Sequence, residues 1–223
     1  MGDRIKTGIR FLDFFLSGGF QVPGFIHLYG EPGTGKSTLG YHLVSRLHEQ
    51  GEKAVWLDFN HSFSIKRLIS MAKDSSIVRS VALLAMSAHG QFINTLSKLN
   101  TLMVQARLLV LDNFTYFYQL SETQEKKGTF YTMFHHQLIR ILALLRRQRA
   151  LGLLINQVRS TLDGTFYPIG GQLINELSRY VLTIKKSGQQ YELEIIKGEP
   201  NQILIPFILK NDGWRVLEHG VKS

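Results

Sequence analysis

The chain has 223 residues, 44% of them hydrophobic, which suits one α/β domain with a sizeable core, is short for two, and excludes a disordered composition. It contains no cysteine, so disulfides and thiolate zinc sites are excluded and a reducing compartment fits. The net charge of +9 favours a polyanionic partner, nucleic acid being the commonest.

Residues 11–20 are apolar in patches, but Asp13 and Gly18-Gly19 interrupt them. No run is long enough to span a bilayer, so a cytoplasmic protein without a membrane partner is expected. Apolar strands are predicted at residues 25–29, 54–57, 81–85, 108–111 and 151–155. Between them fall amphipathic helices at 38–50, with Leu39, Leu43, Val44 and Leu47 on one face, at 64–73, and at 91–105. The longest helix is predicted at 130–149, with Met133, Phe134, Leu138, Ile141, Leu142 and Leu145 inward. Strand–helix alternation of this kind builds a mostly parallel sheet flanked by helices. From residue 180 the pattern changes to short runs at 180–184, 191–196 and 203–209, read as an antiparallel C-terminal extension with a turn at Ser187-Gly188. Residues 119–129 and 159–170 lack a clear period and are read as functional loops.

Gly30-Glu31-Pro32-Gly33-Thr34-Gly35-Lys36-Ser37 matches the phosphate-binding loop pattern without a gap, between a predicted strand and a predicted helix. Its amides form an anion nest, its glycines permit close approach, and the following helix, from Thr38, aims its positive end at the same charge. Lys36 neutralises the terminal phosphates and Ser37 offers a hydroxyl to Mg²⁺, so ATP and Mg²⁺ are the expected cofactors. Asp58 and Asp112 each end an apolar strand. Asp112 is the preferred metal carboxylate. His135-His136 is not read as a metal pair, because adjacent helical residues point about 100° apart.

The order of further motifs adds a resemblance. Lys6-Thr7-Gly8-Ile9-Arg10-Phe11-Leu12-Asp13 with Gly18-Gly19, the phosphate loop, Asn156-Gln157-Val158-Arg159, and Gly170-Gly171-Gln172-Leu173 resemble the RecA/RadA recombinases, and most closely the short archaeal RadB-like paralogues. The resemblance covers roughly residues 7–214. It implies a RecA-like P-loop sandwich and a DNA partner, with residues 119–129 and 159–169 as DNA-facing loops. Lys126, Lys127 and Arg159, near Tyr118, Phe166 and Tyr167, would then contact DNA, single-stranded by preference. The alternative for the wider basic set, which includes Arg140, Arg146, Arg147 and Arg149, is a solvated helix face. Gln157 would sense the last phosphate; otherwise it and Asn156 cap a buried strand. Arg67 would stack on adenine, or else be a solvated helix residue.

Two departures from the family follow. The position of the catalytic glutamate is Asn60, whose amide can orient water but cannot accept its proton. Glu31 is the nearest alternative carboxylate in sequence, and slow or absent hydrolysis is expected. Residues 1–223 read as a single core domain without a separate N-terminal DNA-binding domain. No phenylalanine has alanine three positions later, so self-assembly through an F-x-x-A segment is not expected. A mediator beside a recombinase or other repair protein fits these departures. A nucleotide-gated protein-interaction module without DNA binding, an inert scaffold and a small-molecule kinase are the competing readings.

Overall fold

A computed structural model of the chain describes residues 2–86, 89–116, 124–160, 166–199 and 202–217. A two-residue strand β1 (Arg4–Ile5) pairs antiparallel with β2 (Phe20–Gln21) on either side of a short helix α1 (Arg10–Phe15). The main sheet begins at β3 (Gly24–Gly30), which feeds α2 (Lys36–Glu49) and returns as β4 (Lys53–Asp58). Helix α3 (Ile65–Ala72) and a 3₁₀ turn lead to β5 (Val81–Ala85), and α4 (His89–Met103) leads to β6 (Ala106–Asp112). Helix α5 (Gln124–Gln148) precedes β7 (Leu151–Asn156), followed by a small hairpin of β8 (Val158–Ser160) and β9 (Phe166–Pro168). Helix α6 (Gly171–Leu177) then enters β10 (Tyr180–Ser187), β11 (Gln190–Lys197), β12 (Ile203–Lys210) and β13 (Gly213–Val216).

Nine of these strands form one sheet in the order β13-β12-β11-β10-β3-β7-β6-β4-β5. From β10 to β5 all neighbours are parallel, whereas β11, β12 and β13 add antiparallel. This is an α/β sandwich, a mostly parallel sheet flanked by helices with an antiparallel C-terminal extension. The two-residue side-chain period sorts the strands onto two cores. Trp56, Leu108, Val110 and Leu153 pack with α2, while Leu57, Leu109, Leu111 and Leu154 pack with α4 and α5. At Gly40 in α2 a Cβ would lie 2.6 Å from the Trp56 ring, so the helix sits closer to the sheet than any larger residue permits.

Predicted boundaries need correction in two places. Helix α5 starts at Gln124, so residues 124–129, expected in the first loop, are helical, and Lys126 and Lys127 lie in its first turns. Gln124-Glu125-Lys126-Lys127 are good helix formers, and one interior glycine, Gly128, costs only about 1 kcal/mol against alanine. The rest of that loop, with Tyr118, lies largely outside the described residues. The second aperiodic stretch is founded on the β8–β9 hairpin, in which Arg159 pairs with Tyr167. Each strand is only three residues long, too short to leave a periodic signature. Among the described residues, no helix is long and apolar enough to cross a membrane.

Candidate functional site

The parallel strands β3, β4, β6 and β7 all end on the same side, and their C-terminal tips collect the polar residues. The loop between β3 and α2 is held by its own atoms. Thr34 Oγ1 donates to the Glu31 carbonyl at 2.9 Å, and Gly33 and Gly35 take positive φ of 78° and 86°. Those angles are strained for any residue with a Cβ. Lys36 is 7% exposed, and its Nζ donates to the carbonyls of Gly30 at 2.8 Å and Glu31 at 2.6 Å. Burial pulls its pKa down to about 8, against the opposing charges of Asp112 and Glu31.

Ser37 Oγ donates to Asp112 Oδ2 at 2.7 Å. Burial pushes the Asp112 carboxyl up to about 6; the Ser37 hydrogen bond and the Lys36 charge work against that shift, and Asp58 adds to it. Asp58 stands level with Asp112 across β4 and β6. Its own carboxylate accepts from the amides of Ser62 at 3.1 Å and Phe63 at 2.9 Å, so it organises the turn after β4. Asn60 sits in that turn, and its Oδ1 accepts from Ser62 Oγ at 2.8 Å. The carboxylate that touches the loop's hydroxyl is therefore Asp112.

These groups border one cavity of about 300 Å³. Pro32, Gly33, Gly35, Lys36, Ser37 and Thr38 line it from the loop side, and Asn60, Arg67, Asp112 and Gln157 from the strand tips and α3. Arg67 Nη2 donates to Thr38 Oγ1 at 2.9 Å, which fixes the guanidinium beside the first turn of α2. The side of Gly30 and Glu31 faces a different cavity, of about 410 Å³, shared with Tyr29, Phe166, Lys185 and Lys186. Glu31 is not among the residues lining the Asn60 cavity. Arg159 is exposed on β8, and the described parts of the chain place Lys126 and Lys127 on α5, a separate element.

Several residues at the site escaped sequence reasoning. Asn113, Tyr41 and Leu209 also line the cavity. Leu209 comes from β12, and in β13 Trp214 Nε1 donates to the Gly35 carbonyl at 3.2 Å. The Trp214 amide donates to His42 Nε2 at 3.1 Å, which requires the neutral ring. Burial pulls His42 down to about 4, helped by Arg46 and Arg67. The C-terminal hairpin thus braces the loop from sequence positions nearly 180 residues away.

Behind Gln157 runs a buried polar network. Asn156, fully buried, donates to the Ile169 carbonyl at 2.8 Å, accepts from Thr115 Oγ1, and lies 3.3 Å from His27 Nε2. His27 Nδ1 meets Asn175 Oδ1 at 2.7 Å, and burial holds its pKa down at about 4, against that hydrogen bond. The network ties β7 at once to the tip of β6, to the end of the β8–β9 hairpin, and to α6.

A glycine-bearing loop, a buried lysine and a hydroxyl–carboxylate pair thus meet at one cavity. Among the described residues no cluster of three or more His, Asp or Glu is positioned to hold a metal. Ser37 Oγ and Asp112 Oδ2 are the oxygens that would hold a hard divalent cation such as Mg²⁺ there. The fold and this loop define a P-loop α/β protein of the recombinase type. Residues 3–205 match the Rad51 family, and the chain belongs to it. It is 25% identical over 185 residues to the DNA repair and recombination protein RadB of Thermoplasma acidophilum, covering 82% of this chain and 80% of that one. It is 25% identical over 224 residues to the RadB of Methanoculleus marisnigri, covering 96% and 99%. A crystal structure of the RadB recombinase superposes with a TM-score of 0.81 at 22% identity, covering 96% of this chain and all of that one.

Proposed function

We propose that this recombinase paralogue binds ATP with Mg²⁺ at the loop around Lys36, hydrolyses it slowly or not at all, and binds DNA as an accessory of homologous recombination and repair. The observation that carries the reading is the 2.7 Å contact of Ser37 with Asp112 beside the buried Lys36. It supports a triphosphate-bound cation rather than a bare glycine turn. Lys36 neutralises the phosphates, Ser37 and Asp112 hold the cation's oxygen shell, and Arg67 flanks the α2 end of the cavity where the base would lie. Gln157 lines the cavity and continues into β8, so a state sensed at the last phosphate has a short covalent path to the hairpin that carries Arg159.

Slow turnover is supported by the lining itself. Besides Asp112, committed to Ser37, no carboxylate among the described residues borders the cavity, and Asn60 supplies only an amide. Glu31 opens on the neighbouring cavity and is poorly placed to replace it. DNA contact is assigned to Arg159 with the exposed Phe166 and Tyr167, and to Lys126 and Lys127. The partner is a recombinase or another repair protein. The test measures ATP binding and turnover with and without single-stranded DNA. Tight binding, slow turnover and salt-dependent DNA affinity support the proposal. Turnover at an ordinary recombinase rate refutes the hydrolysis half, and absent DNA binding leaves a nucleotide-gated interaction module.

A further inference from the structure

At the end of the sheet opposite the nucleotide cavity, a crevice of about 310 Å³ opens over the start of β3 between α5 and α6. Phe25, Leu142, Leu145 and Leu177 form its floor, and Arg146 and Arg179 stand on its rim. Both arginines are exposed, and among the described residues neither has a carboxylate within salt-bridge distance. Helix α5 packs on β3 and β7 with one side and on α4 with another. Its remaining face continues the crevice upward through Leu142 to Ile139, which is 54% exposed. Ile139, Leu142 and Arg146 follow the helical period and form one stripe, about 10 Å long at 1.5 Å per residue.

We infer that this stripe is a docking groove for an acidic peptide of a partner protein, one that seats a bulky apolar side chain on Leu142 and Leu177 and pairs flanking carboxylates with Arg146 and Arg179. Charge complementarity selects the occupant. Two guanidiniums without a carboxylate partner among the described residues, on a chain of net charge +9, can recognise carboxylates bidentately, and the apolar floor adds an anchor. Nucleic acid fits the groove poorly. Among the described residues its lining holds two cations, Arg146 and Arg179, rather than a row that could follow a phosphate backbone, and its aromatic residue, Phe25, is 2% exposed and presents no face for base stacking. The groove gives content to the protein-partner half of the function proposed above and needs neither nucleotide nor DNA, because β3 separates it from the Lys36 cavity.

The probe is a fluorescein-labelled dodecapeptide of alternating glutamate and phenylalanine, followed by anisotropy against the full chain. An all-glutamate peptide and a labelled oligo(dT) serve as comparison probes. Expected is saturable binding of the first peptide, weakened about tenfold or more by Arg146→Glu with Arg179→Glu and independently by Leu142→Ser, with thermal melting unchanged. Equal binding of the all-glutamate peptide, no loss in either variant, or no binding at all overturns the groove. So does displacement of the peptide by oligo(dT) with equal loss of both probes in the charge-reversed variant, which makes the surface a nucleic-acid contact. A fall in melting temperature without a change in peptide affinity shows the two arginines serving only the helix C-termini, and overturns it as well. MgATP titrations of the same samples report on the nucleotide function separately, so either reading can fail alone.

Discussion

The affinity for MgATP should rise and fall with pH in a window set by two buried groups. Lys36 is held near 8 and Asp112 near 6 in the protein without ligand. Phosphate binding requires the ammonium, so affinity is full below the lysine's lowered pKa and declines above it. Holding the cation's shell requires the carboxylate, so affinity is full above the raised pKa of Asp112 and declines below it. A bound polyphosphate restores the lysine towards its ordinary range, from about 8 to about 10.5, a linkage of about 3 kcal/mol. Between those limits affinity drops about tenfold for each pH unit, and the acid limb below 6 has a similar slope. Calorimetric titration of MgATP at constant ionic strength, from pH 5 to pH 9.5, reads both limbs. Lys36→Arg, whose side chain stays charged, should flatten the alkaline limb, and Asp112→Asn should flatten the acid one. An alkaline limb that stays flat in the native protein between pH 8 and 9.5 would refute the reasoning, because Lys36 then carries its charge despite burial.

Other expectations follow from the same contacts. His27 and His42 are both held at about 4 by burial, so the unfolded chain binds protons first; their stability contribution is full above about 6.5 and is lost as pH falls from there to 4. At pH 5 the loss is about 2 kcal/mol for each, read as a lower urea midpoint than at pH 7.5. Asn156→Ala strands the Ile169 carbonyl and leaves Thr115 Oγ1 only its 3.2 Å bond to Asn113 Oδ1, and should cost about 2 kcal/mol, seen as a melting temperature lower by several degrees. Neutralising Lys126, Lys127 and Arg159 together should reduce the slope of log affinity for single-stranded DNA against log salt by about 2; an unchanged slope sends the DNA elsewhere. Asn60→Glu puts a carboxylate in the cavity lining and should raise ATP turnover at least about tenfold; unchanged turnover would mean that water activation is not what is missing.

The conformation of residues 30–37 was readable because it is contiguous: Gly33 and Gly35 supply the positive φ angles, and Thr34 and Lys36 bond to carbonyls a few residues away. Asp112 was readable because a carboxylate closing a four-residue apolar strand has few places to go. What separates it from Asp58 became visible only in three dimensions, where Ser37 Oγ donates to Asp112 and the Ser62 and Phe63 amides occupy Asp58. The bracing of Gly35 by Trp214, and Leu209 in the cavity wall, left no local signal, since strands β12 and β13 reach the loop only through sheet order. Asn156 was legible as a polar residue ending a buried strand, but its link to His27 and Asn175 was not, because those polar residues acquire meaning only once folding brings them within hydrogen-bond distance. The antiparallel C-terminal strands were foreseen from their alternation, whereas β13, four residues long, was not.

The most direct measurement is equilibrium binding of MgATP to the folded protein and to Lys36→Ala. The account predicts saturable binding by the native chain and a loss of at least about a hundredfold in the variant, which lacks the buried cation. A well-folded native chain that binds no nucleoside triphosphate in the presence of magnesium, or a variant that binds as tightly, would contradict it.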